Sequence, residues 1–385
     1  MDVNRRTVAA MLASAGLVAP GAALAAGARM FKASIALEGN RLLIAVGMNG
    51  KGPYIFMIDT GQYVSMIRPD LAKELKLPVQ SYEATRGVGG KGRPFAMYLA
   101  RDFVIGGGIR QSSVVLQDSF EFGYQQDIYG ALAAGILTAS DTDLDFDAGE
   151  LRIYPDGRGD RTGYVAVDSE IPRADQPDRG SRKIMAKVQL DGRVLNCILD
   201  TGSPGTLLLG QSVARRLGMW DDRPYSPDRV RGIGGTGPVA RTTRATSMTL
   251  GGVRADRPLI TALGNELASG LDGIVGLAFI RRFNMSIDVR GRKLWIQPSR
   301  QPAAPEPRYA LSGLWLDRDG ERITVGVVGP GSPAAKEGLK PGDRIVGDWD
   351  TVLRAITGAP GSVARLKVER DGIAREVALT LMPYL

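Results

Sequence analysis

One unit is written twice in this 385-residue chain, and this repeat constrains the fold more than any other feature. In each copy, two apolar runs flank a turn, Asn49-Gly50 or Asp191-Gly192, and the second run ends in Asp-Thr-Gly. The triplets begin at Asp59 and Asp200. Asn-Gly and Asp-Gly between alternating apolar runs are typical of β-hairpins. The repeat therefore predicts a mostly β protein with two lobes related by a pseudo-twofold axis.

The parallel between the copies continues beyond the triplets. Each copy has a short helical pattern, a glycine-rich segment and a closing pair of strand-like runs. These lie at Pro69 to Leu77, 86–92 and Leu144 to Ile153 in the first copy, and at Ser212 to Leu217, 231–237 and Ile287 to Ile296 in the second. We expect lobe 1 over 31–158 and lobe 2 over 159–300, with the polar stretch 155–182 connecting them.

The composition changes after residue 300. A proline-rich stretch over 301–311 predicts a stiff, extended linker, and a small α+β domain is expected over 312–385. Its segments Gly313 to Leu316, Ser332 to Ala335 and Gly338 to Ile345 resemble a PDZ domain of the type found in bacterial exported proteases. The short connection from Ile345 to the predicted helix Trp349 to Ile356 departs from such domains, which usually fit an extra hairpin there.

That resemblance implies a peptide-binding groove in the C-terminal domain. A C-terminal tail or extended segment would add as a strand beside Gly313, Leu314, Trp315 and Leu316.

The first 28 residues have the pattern of a bacterial secretory signal. Arg5-Arg6 precede an apolar stretch from Val8 to Val18, and a run of small residues from Ala22 to Ala28 offers a cleavage site. The apolar stretch is too short to span a bilayer. We expect a periplasmic or secreted mature protein without a membrane anchor. The paired arginines leave both the twin-arginine route and the general route open.

Two residue counts exclude whole classes of enzyme. The chain has no histidine and one cysteine, Cys197. It therefore cannot form a Ser-His-Asp triad, a Cys-His dyad, a His-ligated zinc site or an internal disulfide. The net charge of +8 comes from 49 basic residues scattered among 41 acidic ones. This even distribution indicates a solvated surface, and we expect no nucleic-acid partner.

The paired triplets supply what catalysis needs without histidine. If the lobes pack about a twofold axis, Asp59 faces Asp200, and two adjacent carboxylates share one proton. The ionised member takes a proton from water while the protonated member donates one to a peptide carbonyl. Hydroxyls of Thr60 and Thr201 can bond across to the opposite loop. Gly61 and Gly202 let backbone N–H groups approach the carboxylates.

On these residues the chain resembles the aspartic proteases over 31–300. It looks like a single-chain retropepsin-like protease in which a duplicated lobe replaces the homodimer. The resemblance implies that Asp59 and Asp200 are the catalytic pair and that Thr60, Gly61, Thr201, Gly202 and Ser203 support it. One chain then suffices for one active site.

The lobes depart from that pattern at two points in lobe 1. Gln62 follows the first triplet where Ser203 follows the second, and Ala133 stands where lobe 2 has Gly276. The Gln62 amide either donates a hydrogen bond that lowers the pKa of Asp59 or crowds the water. The methyl group of Ala133 predicts slightly altered packing in lobe 1.

Both glycine-rich segments predict mobile hairpin tips, or flaps, that close over an extended peptide. The flap residues are Gly87, Val88, Gly89 and Gly90 in lobe 1, and Gly232, Ile233, Gly234 and Gly235 in lobe 2. Both segments also match GxGxxG. Strand-like runs follow them, Phe95 to Ile105 and Thr242 to Leu250, and a phosphate-binding loop needs a helix there.

The sequence thus favours an exported aspartic endopeptidase that acts on polypeptides without metal or organic cofactor. The alternatives are an inactive peptide-binding scaffold and a serine hydrolase with a lysine base, for which no motif is found. The run Asp141, Asp143, Asp145, Asp147 lacks the glycine of a calcium loop and is expected to be a solvated turn and strand edge. Cys197 is expected in the core.

Overall fold

A computed structural model describes residues 29–85, 93–118, 127–174, 180–221, 223–232, 235–302 and 309–385. The predicted signal over 1–28 and most of the linker over 301–311 lie outside the described residues. In the described part, two barrel-like β lobes are followed by a C-terminal sheet domain. The predicted fold class is confirmed.

Lobe 1 consists of ten strands and two short helices in its described residues. They are β1 (Phe31–Glu38), β2 (Arg41–Met48), β3 (Lys51–Asp59), β4 (Met66–Ile67), α1 (Pro69–Glu74), β5 (Val79–Thr85), β6 (Arg93–Ile105), β7 (Ile109–Asp118), β8 (Gly130–Ala133), α2 (Gly135–Thr138), β9 (Asp141–Asp145) and β10 (Glu150–Tyr154). The predicted helix after the triplet is shorter than expected, because Lys76 adopts a positive φ of 51° just past its end.

Lobe 2 repeats this arrangement. Its elements are β11 (Val165–Ala166), β12 (Ser169–Glu170), β13 (Met185–Leu190), β14 (Arg193–Asp200), β15 (Leu207–Leu209), α3 (Gln211–Arg216), β16 (Ser226–Gly232), β17 (Gly235–Arg244), β18 (Ser247–Leu250), β19 (Val253–Asp256), β20 (Leu259–Ala262), β21 (Gly273–Gly276), α4 (Leu277–Ile280), β22 (Phe283–Asp288) and β23 (Lys293–Pro298). The strand-like run Thr242 to Leu250 is divided between β17 and β18, which pair with different strands.

The hairpin turns fold as their sequences dictate. Asn49 and Gly50 have φ values of 51° and 70°, and Asp191 and Gly192 have 47° and 77°. Positive φ at both central residues is the tight-turn conformation that Asn-Gly and Asp-Gly favour. These turns connect β2 to β3 and β13 to β14, whose second strands end at the two triplets.

The closing strand pairs of the two lobes join each other. β9 of lobe 1 pairs antiparallel with β22 of lobe 2, so one sheet runs through both lobes in the order β11-β23-β22-β9-β10-β1. Two arginines of the connection pair with aspartates of this sheet, Arg158 with Asp143 and Arg161 with Asp141, each at 2.7 Å. This shared sheet fixes one lobe relative to the other.

The C-terminal domain has a five-stranded sheet and its own apolar core. Its elements are β24 (Leu314–Asp319), β25 (Arg322–Val328), α5 (Pro333–Lys336), β26 (Arg344–Val346), α6 (Trp349–Ile356), β27 (Val363–Arg370) and β28 (Ile373–Thr380). Ser332 caps α5 and Asp348 caps α6 through side-chain bonds to backbone N–H groups. The strands follow chain order, and β24 is the end strand.

Candidate active site

The two Asp-Thr-Gly loops lie at equivalent points of the two lobes. β3 runs parallel to β8 and places Asp59 beside Ala133, while β14 runs parallel to β21 and places Asp200 beside Gly276. In each lobe a third strand, β4 or β15, pairs antiparallel with the other side of β8 or β21. The same local topology thus carries each triplet out of the core to the face between the lobes.

Two buried threonines join the loops across this face. The Thr60 backbone N–H donates to Thr201 Oγ1 at 3.1 Å, and the Thr201 N–H donates to Thr60 Oγ1 at 3.0 Å. Each hydroxyl in turn donates at 2.7 Å to a carbonyl of the other lobe, Thr60 to Leu199 and Thr201 to Ile58. Both threonines are 0% exposed. The four bonds form a symmetric clamp that holds the two triplets in one geometry.

The clamp brings the two carboxyl groups within hydrogen-bond reach of each other. The glycines show how closely the loops approach. A Cβ built on Gly61 would overlap the Asp200 carboxylate, and one built on Gly202 would overlap that of Asp59. Only glycine fits at these two points. The structure thus brings together Asp59, Thr60, Gly61, Asp200, Thr201 and Gly202 as the repeat predicts.

Burial raises the pKa of both carboxyl groups, since Asp59 is buried and Asp200 is half-buried. Asp59 is only 6% exposed. The negative charge of Asp200 raises the pKa of Asp59 further, well above its usual range. Asp200 gains more stabilisation of its ionised form, because its Oδ1 accepts from the N–H groups of Gly202 at 2.8 Å and Ser203 at 3.2 Å. Asp59 therefore holds a proton more tightly than Asp200.

The side chain of Gln62 resolves one alternative left open by the sequence. It hydrogen-bonds to the Asp59 carboxyl and lowers the pKa of that group, against the larger raising effects of burial and Asp200. Among the described contacts, the Asp59 carboxyl accepts one backbone N–H, from Gly61 at 3.1 Å. In lobe 1 a side-chain amide thus gives the Asp59 carboxyl a further hydrogen bond, whereas in lobe 2 the Ser203 N–H does so for Asp200.

The alanine of lobe 1 is accommodated by a different contact behind the loop. In lobe 2 the Gly276 N–H donates to the Thr206 carbonyl at 3.0 Å, and a Cβ on Gly276 would overlap the Gly205 carbonyl oxygen. In lobe 1 the Ala133 N–H donates instead to Ser65 Oγ at 3.0 Å. Because a side chain accepts this bond in lobe 1, we infer that the loop backbone lies further from Ala133 and leaves space for its methyl group.

Arg41 is a charged residue of the site that the motifs do not reveal. Its Nη1 is buried and has no hydrogen-bond partner among the described residues. Burial lowers the pKa of the guanidinium, while the negative charges of Asp59 and Asp200 oppose that shift. The adjacent Asn40 amide donates to the Pro204 carbonyl next to the second triplet. The repeat offered a signal, since the strand registers align Arg41 with another basic residue, Lys183 of lobe 2.

The glycine-rich segments lie at the ends of antiparallel hairpins. β5 and β6 pair up to Thr85 and Arg93, and β16 and β17 pair up to Gly232 and Gly235. The strand that follows each segment leaves no helix for a phosphate-binding loop. The remaining predicted flap residues, Gly87, Val88, Gly89, Gly90, Ile233 and Gly234, lie outside the described residues.

The predicted groove residues lie at the start of the C-terminal domain. Gly313 has a φ of 72°, and a Cβ there would overlap the Ser332 side chain. Leu314 and Leu316 are buried in the domain core, and Trp315 between them packs under Arg229 of lobe 2. Trp315 is therefore the one of the three whose side chain leaves the domain core.

Two other sequence features have structural explanations. Cys197 is buried on β14, and burial raises the pKa of its thiol to about 12, which does not suit a nucleophile. The expected solvated strand edge is wrong for Asp141 and Asp143, which are buried on the inner strand β9 and paired with arginines. Within the described ranges, no cluster of acidic residues and cysteine could hold a metal ion. No helix in that part of the chain has the length and apolar character to cross a membrane.

A search of curated proteins gives no match. Among solved structures, basic 7S globulin from soybean is similar, with a TM-score of 0.41 and 10% identity, over 71% of this chain and 97% of that one. The family model described as aspartyl protease matches residues 44–138 and again 186–279. Each of the two lobes therefore contains one stretch that matches the aspartyl protease family model.

Proposed function

We propose that the protein is an aspartic endopeptidase that hydrolyses peptide bonds with a water molecule activated between Asp59 and Asp200. The observation that carries this proposal is the buried carboxyl pair held by the Thr60–Thr201 clamp. Two carboxyl groups that lie within hydrogen-bond reach of each other share one proton at the pH where the reaction runs.

The local hydrogen bonds divide the work between the two acids. Asp200, with two backbone N–H donors on one oxygen, carries the negative charge and accepts a proton from water. Asp59, whose pKa is raised by burial and by Asp200, holds the shared proton and donates it to the carbonyl oxygen as water attacks. Asp200, now protonated, then donates to the departing amine. The two acids return to their starting state once Asp59 recovers a proton from the gem-diol.

Further parts of the proposal concern the hairpins, the C-terminal domain and the N-terminus. The tips at 86–92 and 233–234 would close over an extended polypeptide. The C-terminal domain would bind an extended segment beside β24, an end strand that also approaches β16 of lobe 2. The pattern over 1–28 supports export to the periplasm or beyond. Since one chain carries both aspartates, a monomer would be active.

A peptide-library digest tests the proposal directly. The purified chain is incubated with the library from acid to neutral pH, and products are identified by mass spectrometry. Cleavage by the wild type and its loss in both Asp59→Asn and Asp200→Asn are expected. Asp256→Asn, which changes an exposed carboxyl on β19, serves as the control and keeps wild-type cleavage.

Two outcomes would count against the proposal. Equal cleavage by wild type and Asp200→Asn would remove the dyad from the mechanism. Binding of peptides without turnover at any pH would favour the inactive scaffold instead.

A further inference from the structure

The C-terminal domain packs against one of the two hairpins. Cα atoms of β16, the first strand of the lobe 2 hairpin, come within 8 Å of those of β24 and β25. Both β16 and β24 are end strands of their sheets. The corresponding end strand of lobe 1, β5, has an open outer face, with Tyr82 70% and Val79 46% exposed. The two hairpins therefore differ in what supports them.

Arg229 makes the central contact of this interface. Its Nη2 lies 3.6 Å from Asp317 Oδ1, and its Cζ lies 5.5 Å from the centre of the Trp315 ring. A β-bulge between Arg229 and Arg231 interrupts the pairing of β16 with β17. Bulges redirect side chains out of the regular alternation. The hairpin thus offers a side chain to the neighbouring domain where its own ladder is irregular.

A second set of contacts fixes the chain just before β16. The Tyr384 hydroxyl donates to the Tyr225 carbonyl at 3.2 Å, and the Tyr309 ring packs edge-on against Tyr384 at 5.5 Å. A Cβ on Gly329 would overlap the same Tyr225 carbonyl oxygen. Arg241 of β17 stacks on the Tyr225 ring at 4.4 Å. Both strands of the hairpin are therefore linked to this close-packed base.

Support of this kind affects how a hairpin binds a peptide. A free hairpin loses conformational entropy when it closes over a ligand, whereas a hairpin already held in place loses less. We propose that Arg229 is a positioning residue, which through Trp315 and Asp317 holds the lobe 2 hairpin in its substrate-binding position. The catalytic part of this inference rests on the proposed function, but the holding contact does not.

Hydrogen exchange read by mass spectrometry tests the holding contact on the whole chain. In Arg229→Ala and in Trp315→Ala, amides of 226–244 should exchange about five-fold faster than in the wild type, since each variant loses a cation–π contact and Arg229→Ala also loses an ion pair. Arg229→Lys keeps the charge but not the planar group and should show a smaller increase. Ile373→Ala, at a residue 73% exposed on β28, is the control and should leave 226–244 unchanged.

The lobe 1 hairpin, 79–105, is the internal reference for these measurements. Unchanged exchange over 226–244 in both alanine variants would overturn the inference. So would an equal rise over 79–105, because that result indicates general loosening of the lobes.

Kinetics test the positioning role separately. With a peptide that the wild type cleaves, Arg229→Ala should raise KM about five-fold and change kcat little, with partial recovery in Arg229→Lys. Faster exchange with unchanged KM would overturn the positioning role. Absence of cleavage by the wild type would instead count against the proposed function, and the exchange result would still decide whether the contact holds the hairpin.

Discussion

The two lobes share their central loops and the strand topology around them, and they differ in residues next to the loops and in the support of their hairpins. Both carry Asp-Thr-Gly on a strand of the same topology, and the threonine clamp is symmetric to within 0.1 Å in its paired N–H bonds of 3.1 and 3.0 Å. Behind and beside the loops, lobe 1 has Gln62 and Ala133 where lobe 2 has Ser203 and Gly276. The lobe 1 hairpin has an exposed outer strand, and the lobe 2 hairpin packs against the C-terminal domain.

This contrast separates what the site requires from what a duplicated chain is free to change. A homodimer must present two identical environments to its two acids. Here the acids differ, since Asp200 accepts two backbone N–H bonds on one oxygen and Asp59 accepts one N–H together with the Gln62 amide. Duplication thus allows one acid to retain the proton and the other to carry the charge, in a geometry that remains symmetric.

The largest effect should come from the symmetric part of the comparison. Gly61→Ala and Gly202→Ala each place a methyl group where the opposite carboxylate lies. Either change must displace an aspartate, and a displacement of about 1 Å costs on the order of 10²-fold in rate. We expect kcat for peptide cleavage to fall by that factor in both variants. A large loss in only one of them would show that the loops are less equivalent than their clamp suggests.

The asymmetric part gives the next largest effect. Gly276→Ala forces a methyl group onto the Gly205 carbonyl and should cost about 1–3 kcal/mol of folding stability. The matched change in lobe 1, Ala133→Gly, removes a methyl group that is already accommodated and should cost only about 0.5–1 kcal/mol. Urea unfolding of the two variants measures this difference. Equal costs would contradict the wider spacing inferred behind the first triplet.

Titration of the pair should appear in stability as well as in activity. A carboxyl whose pKa is higher in the folded state contributes stability that is complete below its unfolded pKa and is lost as pH rises through the folded pKa. The pKa of Asp59 is raised from 3.8, so wild-type stability should decline as pH rises above that value. Asp59→Asn should remove most of this decline. Asp200→Asn should remove part, because burial of Asp59 remains and only the neighbouring charge is lost.

Unfolding free energies measured across this pH range compare the three proteins. If the unfolding free energy falls equally steeply with pH in the wild type and in Asp59→Asn, then Asp59 does not hold the proton.

The sequence was most informative where structure is set by neighbouring residues. The triplets, the Asn49-Gly50 and Asp191-Gly192 turns and the helix Trp349–Ile356 all follow from local pattern, and the fold class follows from the repeat. The sequence predicted one continuous strand-like run from Thr242 to Leu250, but the structure divides it between β17 and β18. The two halves pair with different strands, and periodicity does not encode strand pairing.

Contacts between distant parts of the chain could not be predicted in this way. The pairing of β9 with β22 joins two strands that, in the sequence, close two separate lobes. The contact of Arg229 with Trp315 and Asp317 depends on how a third domain docks. Arg41 differs from the surface arginines only in its burial near the dyad, and burial of a charged side chain is not visible in composition or spacing.

The smallest expected effect compares Arg41 with Arg182, an exposed arginine that stands as far before Asp200 as Arg41 before Asp59. Arg41 places a buried positive charge close enough for both aspartates to act on its pKa, whereas the Arg182 side chain is exposed. By reciprocity, the Arg41 charge lowers the pKa of the pair. Arg41→Met should therefore move both limbs of the pH–kcat/KM profile to higher pH, and Arg182→Met should leave them in place because solvent screens an exposed charge. Equal shifts in the two variants would mean that net charge, and not the position of Arg41 in lobe 1, sets the working pH of the pair.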